Sequence, residues 1–182
     1  MQERGPYAPL GVRGRLVGKL ALSEGAGISA RKPWVRHLVG LLIAALWVAA
    51  DQATKTWAEN TLAGHPDFLF GHFGFELIYN SGIAFGIASG APGIITVFGI
   101  VVSAVLVVVL FRTRRPLTTV AAALVLGGAL GNVVDRIFRH NGGAVIDFLH
   151  SGFWPTFNLA DAGVVIGLVL AIIATPKSEG AR

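Results

Sequence analysis

Residues 92–111 read PGIITVFGIVVSAVLVVVLF, twenty positions without a charged side chain. A helix of that length is about 30 Å long, the thickness of a bilayer's hydrocarbon core. Pro92 suits a first helical turn, where a missing N–H leaves nothing unsatisfied. Arg112, Arg114 and Arg115 end the run, and Pro116 opens a second apolar stretch at once. Two such runs joined by a very short basic turn predict an antiparallel hairpin of membrane-spanning helices.

Working outward, four apolar segments are expected to span, at about 34–54, 92–111, 116–134 and 157–175. The 182-residue chain agrees with this in bulk: 53% of it is hydrophobic and 14% charged, with mean hydropathy +0.65. A soluble domain carries about 25% charged residues. The expected class is therefore an all-α membrane protein, a four-transmembrane-helix bundle with a small extracytoplasmic β-sheet or loop element. The absence of cysteine excludes disulfides, thiolate metal sites and a cysteine nucleophile. The net charge of +5 does not point to nucleic acid, because the basic residues flank the apolar segments.

Residues 1–33 are Gly-rich and basic, show no periodicity, and read as a disordered cytoplasmic tail. Residues 34–176 form the membrane domain, and 177–182 a short cytoplasmic tail. The first apolar segment has a second reading, a cleaved signal peptide with Val48-Ala49-Ala50 as its small-residue site. The stretch Asp51-Gln52-Ala53-Thr54-Lys55 continues a helical pattern, so a retained span is the expectation. The aromatic stretch 68–79 predicts a short strand or two, closed by a turn at Asn80-Ser81-Gly82. Between Phe138 and Phe153 a second exported loop turns at Asn141-Gly142-Gly143.

Lys and Arg set the orientation. Most occupy the tail, the 112–115 turn and the C-terminus, while 56–111 has none and carries Glu59, Asp67 and Glu76; Arg136 and Arg139 run against this pattern and sit beside Asp135. Both termini are thus expected in the cytoplasm, with the span-end charges on the outer side. Those charges cluster. Asp51 and Lys55 are i,i+4 and share a helix face, expected as a pair at the interface with the lysine stem snorkelling. Asn132, Asp135 and Arg136 share another face, with Asp135 expected to be salt-bridged to Arg136 or Arg139. Asn158 and Asp161 stand in the first turn of the last span, where the macrodipole favours a carboxylate. Asp147 lies in the loop before that span, among Val145, Ile146, Phe148 and Leu149. Burial or a neighbouring carboxylate would raise its pKa.

Two carboxylates sharing a proton can activate water and protonate a leaving group. Asp147 and Asp161 could form such a pair; they could equally be capping or interfacial carboxylates. Outward carboxylates could also serve an ion relay, but the second span contains no charge from which to build a path across the bilayer. The five histidines lack ligand spacing. Gly127, Gly128 and Gly131 read as small-residue helix contacts, since no strand precedes them as a nucleotide loop requires.

Five short motifs occur in order: Asp51-Gln52-x-x-Lys55; Tyr79-Asn80-Ser81-Gly82-Ile83-Ala84-Phe85; Gly128-Ala129-Leu130-Gly131-Asn132-x-x-Asp135-Arg136; Val145-Ile146-Asp147-Phe148; and Phe157-Asn158-Leu159-Ala160-Asp161. Together they resemble the lipoprotein signal peptidases (signal peptidase II) over about residues 37–175. The resemblance implies a four-helix membrane aspartyl endopeptidase of the bacterial inner membrane, acting near its extracytoplasmic face. Its substrates would be prolipoproteins cut just before a diacylglyceryl-modified cysteine. Asp147 and Asp161 would be the catalytic pair. Asn132, Arg136 and Asn158 would orient substrate or support the pair, and Asp135 would stand beside them. Asp51 and Lys55 would shape the outer end of the first helix, and Asn80 and Gly82 would sit in the exported sheet that clamps the substrate. No cofactor, metal or nucleic acid is implied. The expected partners are substrate and membrane lipid, and the chain is expected to act as a monomer.

Overall fold

A computed structural model describes residues 33–82 and 91–175. All of the expected basic tail but Pro33 lies outside them, as do Ile83, Ala84, Phe85 and the 177–182 tail. The elements run α1 (Pro33–Leu62), β1 (Asp67–Phe70), β2 (Phe73–Asn80), α2 (Pro92–Arg112), α3 (Pro116–Phe138), β3 (Val145–His150) and α4 (Leu159–Ala174).

The predicted hairpin is present. Pro92 and Pro116 each open a helix, and the backbone turns extended at Thr113. Three helices, α1, α2 and α3, are long and apolar enough to cross a membrane, while α4 has 16 residues. Their outer faces are apolar, with Ile94, Phe98 and Val101 of α2 and Val169 and Ile172 of α4 exposed. Such faces suit lipid rather than water.

Two boundaries differ from expectation. Helix α1 does not end near residue 54 but runs unbroken through Val48-Ala49-Ala50 to Leu62. At 30 residues it is about 45 Å long, more than a hydrocarbon core requires. The extra turns are held by packing: Ala58 and Leu62 are buried against Ile146 and Phe148 of β3. Helix α3 likewise continues past 134 to Phe138.

Helix α3 is the central element, with Ala121, Ala122, Ala123, Gly127, Gly128 and Gly131 all buried. These small side chains allow close approach of neighbouring helices. A Cβ on Gly131 would lie 2.6 Å from Asp51 Oδ2 and 3.2 Å from the Ala160 Cβ, so the contact requires glycine. A second packed layer joins Ala44 and Leu110 to Ala122, Ala123 and Leu126.

The strands form one antiparallel sheet in the order β1-β2-β3. This confirms the strand expectation for 68–79 and revises Asp147, which lies within β3 rather than in a loop. The β2–β3 ladder pairs Phe75 with Leu149 and Ile78 with Asp147, so β2 carries one extra residue, a bulge, between them. Beyond β3, Phe157 bridges back to Leu149 and leads the chain into α4.

Candidate active site

Asp147 and Asp161 are brought together by one residue between them. Asn158 is the N-cap of α4, and its side chain accepts from the Asp161 N–H at 2.9 Å. Asp161 returns the contact, its Oδ2 accepting from the Asn158 N–H at 3.2 Å, which completes a capping box. The Asn158 amide, facing the other way, donates to Asp147 Oδ1 at 2.7 Å. Asp147 Oδ2 accepts from the Asn80 amide at 2.9 Å, and Asp161 Oδ1 from the Asn132 amide at 2.9 Å. All four carboxylate oxygens therefore meet N–H donors.

Asp147 is 2% exposed. Burial pushes its carboxyl up to about 7, and the negative charge of Asp161 adds to the rise. The Asn80 and Asn158 amides and the Lys55 ammonium pull the other way without cancelling it. A carboxyl that keeps its proton near neutrality, beside a second carboxylate, is the arrangement of an acid–base pair.

Behind the pair lies a buried charge network. Lys55 is 0% exposed; its Nζ stands 2.9 Å from Asp51 Oδ2, 2.8 Å from Asp135 Oδ2 and 3.0 Å from Asn132 Oδ1. The i,i+4 pairing with Asp51 holds, but the snorkelling lysine does not. Between two carboxylates and an amide oxygen, the ammonium is compensated inside the protein and gains nothing by reaching for water. By taking the Asn132 oxygen, Lys55 fixes which way that amide points and leaves its nitrogen for Asp161. Asp51 Oδ1 accepts from the Ala160 N–H at 2.8 Å, one residue before Asp161. Asp135 Oδ2 accepts from the Ile146 N–H at 3.1 Å, one residue before Asp147. Each carboxylate of the pair thus has its neighbouring backbone pinned to the same network.

The expected Asp135–Arg136 pairing is not made. Residues adjacent on a helix point in different directions. Asp135 turns toward α1 and pairs with Lys55 and, at 3.3 Å, with Arg139 Nε. Arg136 instead donates to the carbonyls of Gly82 and Gly143, both at 2.8 Å, tying the ends of β2 and of the 141–143 turn to α3.

A cavity of about 440 Å³ opens beside these groups. Its polar wall holds Asn80, Gly82, Asn132, Arg136 and Asp161, and its apolar wall includes Ile95, Phe98, Val102, Val133, Val164 and Val165. Trp154, Pro155, Thr156 and Phe157 complete it. Asp147 stands one hydrogen bond behind Asn80.

The expected Asp135–Arg139 pair is made, but sequence reasoning missed two links between α1 and α3. Gln52 donates to Asp135 Oδ1 at 2.7 Å and to the Gly131 carbonyl at 3.1 Å, joining α1 to α3. Arg139 reaches back to Gln52, Thr56 and Glu59 on the extension of α1. The spacing of Asp135 and Arg139, one turn apart, carried part of that signal; nothing local marked Gln52 as a bridge.

The chain matches the family profile described as Signal peptidase (SPase) II over residues 43–176. It is 41% identical over 148 residues to the "Lipoprotein signal peptidase" of Rhodococcus jostii (strain RHA1), covering 77% of this chain and 73% of that one. It is 40% identical over 156 residues to the same-named protein of Ectopseudomonas mendocina (strain ymp), covering 79% and 90%. A bacterial membrane enzyme solved by the in meso method at 2.3 Å resolution superposes with a TM-score of 0.66 at 29% identity, covering 79% of this chain and 94% of that one.

Proposed function

We propose a mechanism from one premise: the chain belongs to the signal peptidase II family, and it removes signal peptides from prolipoproteins as an aspartic endopeptidase. Asp147 and Asp161 are the catalytic dyad. The observation that carries this is Asn158, which grips both carboxylates at once beside the cavity.

Asp161, on the cavity wall, is the base. It takes a proton from a water as the water oxygen attacks the scissile carbonyl carbon. Asp147 holds the shared proton at neutral pH and passes it to the carbonyl oxygen as the tetrahedral intermediate forms; as that intermediate breaks, Asp161 gives its proton to the departing nitrogen and Asp147 takes one back from a hydroxyl. The C–N bond then opens, and the leaving nitrogen departs as an amine. Asn132 and Arg136 orient the substrate from the cavity wall. Asn80 and Gly82 clamp it from the end of β2. Lys55, Asp51 and Asp135 hold the Asn132 amide and the backbone before each aspartate.

The substrate is a prolipoprotein carrying a diacylglyceryl cysteine, cut just before that residue. Its apolar signal helix enters sideways against the apolar cavity wall, and its lipid chains stay in the bilayer. Helix α4 serves as the fourth span within a domain of residues 34–176. The site faces the extracytoplasmic side of the bacterial inner membrane, and both termini, with the basic tail 1–33 and residues 177–182, lie in the cytoplasm. The charge asymmetry supports this: Arg36, Arg112, Arg114 and Arg115 gather at the end opposite the carboxylates. The enzyme acts as a monomer.

The test is cleavage of a purified, lipidated prolipoprotein, read as a mass shift. Asp147→Asn and Asp161→Asn are each expected to abolish it while the protein stays folded. Cleavage by either folded variant would overturn the dyad.

A further inference from the structure

We propose that the end of the bundle opposite the carboxylates holds the phosphate of an anionic phospholipid, in a recess between the α2–α3 turn and the last turn of α4. The recess, about 380 Å³, is lined by Thr113, Arg114, Arg115 and Thr118 on one side and by Ala171, Ala174 and Thr175 on the other. The inference rests on the proposed reading that the helices span the bilayer, which puts this recess at headgroup depth.

Charge is the first argument. Arg36 donates to the Arg114 carbonyl at 3.1 Å, so the start of α1 meets the turn, and Arg112 stands in the last turn of α2. This end therefore gathers four arginines. The described carboxylates are Asp51, Glu59, Asp67, Glu76, Asp135, Asp147 and Asp161. All lie on the sheet or toward the helix ends that meet it, so among the described residues no carboxylate stands beside the arginines. Clustered basic residues beside spanning helices attract anionic lipid headgroups, each contributing about 1 kcal/mol.

Geometry is the second argument. Arg115 donates through one nitrogen to the Ala174 carbonyl at 3.1 Å, which fixes its guanidinium at the rim and fastens α4 to the turn. A guanidinium carries five N–H donors, so the others remain to face an anion. Thr113 and Thr118 line the same wall. Helix α3 also begins here, at Pro116, and its positive dipole end adds to the field. Guanidinium and helix start meet at this recess, whose arginine rim suits the phosphate oxygens. Acyl chains attached to that phosphate would lie along the exposed apolar faces of α2 and α4.

The experiment is native mass spectrometry of the full, delipidated chain in detergent, titrated with phosphatidylglycerol, phosphatidylcholine or inorganic phosphate. Phosphatidylglycerol is expected to bind and to raise the melting temperature, and phosphatidylcholine to bind more weakly. Arg114→Gln with Arg115→Gln should weaken phosphatidylglycerol binding by roughly 30-fold. Thr118→Val, which leaves the charge unchanged, should weaken it as well. Arg112→Gln, away from the recess, should have less effect than the pair. Equal losses from Arg112→Gln and the pair, or no loss from Thr118→Val, would reduce the effect to nonspecific charge and overturn the site. Stabilisation by millimolar inorganic phosphate alone, with the same arginine dependence, would overturn the lipid assignment in favour of a free anion. Prolipoprotein cleavage by the same variants in detergent is expected to persist, so failure here and failure of the dyad are read separately.

Discussion

The side-chain amide of Asn158 lies 2.7 Å from Asp147 Oδ1 while the same residue caps α4. One side chain thus starts a helix with its oxygen and holds a carboxylate with its nitrogen. The position of Asp147 relative to Asp161 depends on where α4 begins.

These two duties can be separated. Serine caps helices about as well as asparagine but is too short to reach Asp147. Asn158→Ser is expected to keep the melting temperature within a few degrees. It should lower kcat by about 10- to 100-fold, through loss of the amide's hydrogen bonds to Asp147 and Asn132. Equal losses in stability and rate under thermal unfolding and steady-state assay would show that the residue only caps.

The Asp147 carboxyl titrates near 7. As the proposed acid of the pair it must hold its proton, so cleavage should fall as pH rises through an apparent dyad value of about 7. Asn80 donates to the ionised form; Asn80→Ala removes that support, raises the pKa and moves the basic limb to higher pH. Stability follows the same sign. The folded value lies above the ordinary 3.8, so the stabilising proton is fully present at acid pH and lost as pH rises through about 7. Melting temperature should therefore decline between about pH 4 and pH 7, level off above that, and decline less in Asp147→Asn. A pH–rate profile unchanged by Asn80→Ala would contradict the assignment.

Lys55 is the buried cation between Asp51 and Asp135. Lys55→Met leaves two carboxylates without their counter-ion and should destabilise the fold by about 3–5 kcal/mol. Adding Asp135→Asn should recover part of that loss. Thermal unfolding of the single and double variants measures both, and an absence of recovery would mean that packing, not charge, sets the penalty.

Gly131 allows α3 to touch Asp51 and Ala160. Gly131→Ala is expected to lower stability by about 1–3 kcal/mol and to disturb the Asp51 contact with the Ala160 N–H. Gly93→Ala, where an added methyl meets open space, should be neutral or slightly stabilising. Denaturation of the pair checks the contrast.

The hairpin of α2 and α3 was legible because proline and arginine mark its ends, and lipid leaves the apolar runs between them uninterrupted. The far end of α1 was not. Its last turns are fixed by Ala58 and Leu62 packing on β3, a contact 84 or more positions away in sequence for Leu62 and Ile146. The strand carrying Asp147 read as a loop because Val145, Ile146, Asp147 and Phe148 are all buried, so no alternation of polar and apolar positions betrays it. The clusters at Asp51, Asn132 and Asn158 were visible from helix spacing, and the structure joins them. Their cross-connections were not visible: which carboxylate Lys55 serves, and where Arg136 points, are decided by the rotation of α3 against α1 and the sheet.

The bulge in β2 makes the site depend on counting. Continuing the Phe75–Leu149 register without the extra residue would set Leu77 opposite Asp147 and Tyr79 opposite Val145; the bulge puts Ile78 and Asn80 there instead. A one-residue slip exchanges the two faces of a strand. The amide that meets Asp147 is therefore specified by chain length between Phe75 and Asn80 as much as by the identity of residue 80. Point substitutions along this strand leave that specification intact, whereas pairing the same residues without the bulge would bring the Tyr79 phenol to the place of the Asn80 amide and disarm the enzyme without altering any of its polar side chains.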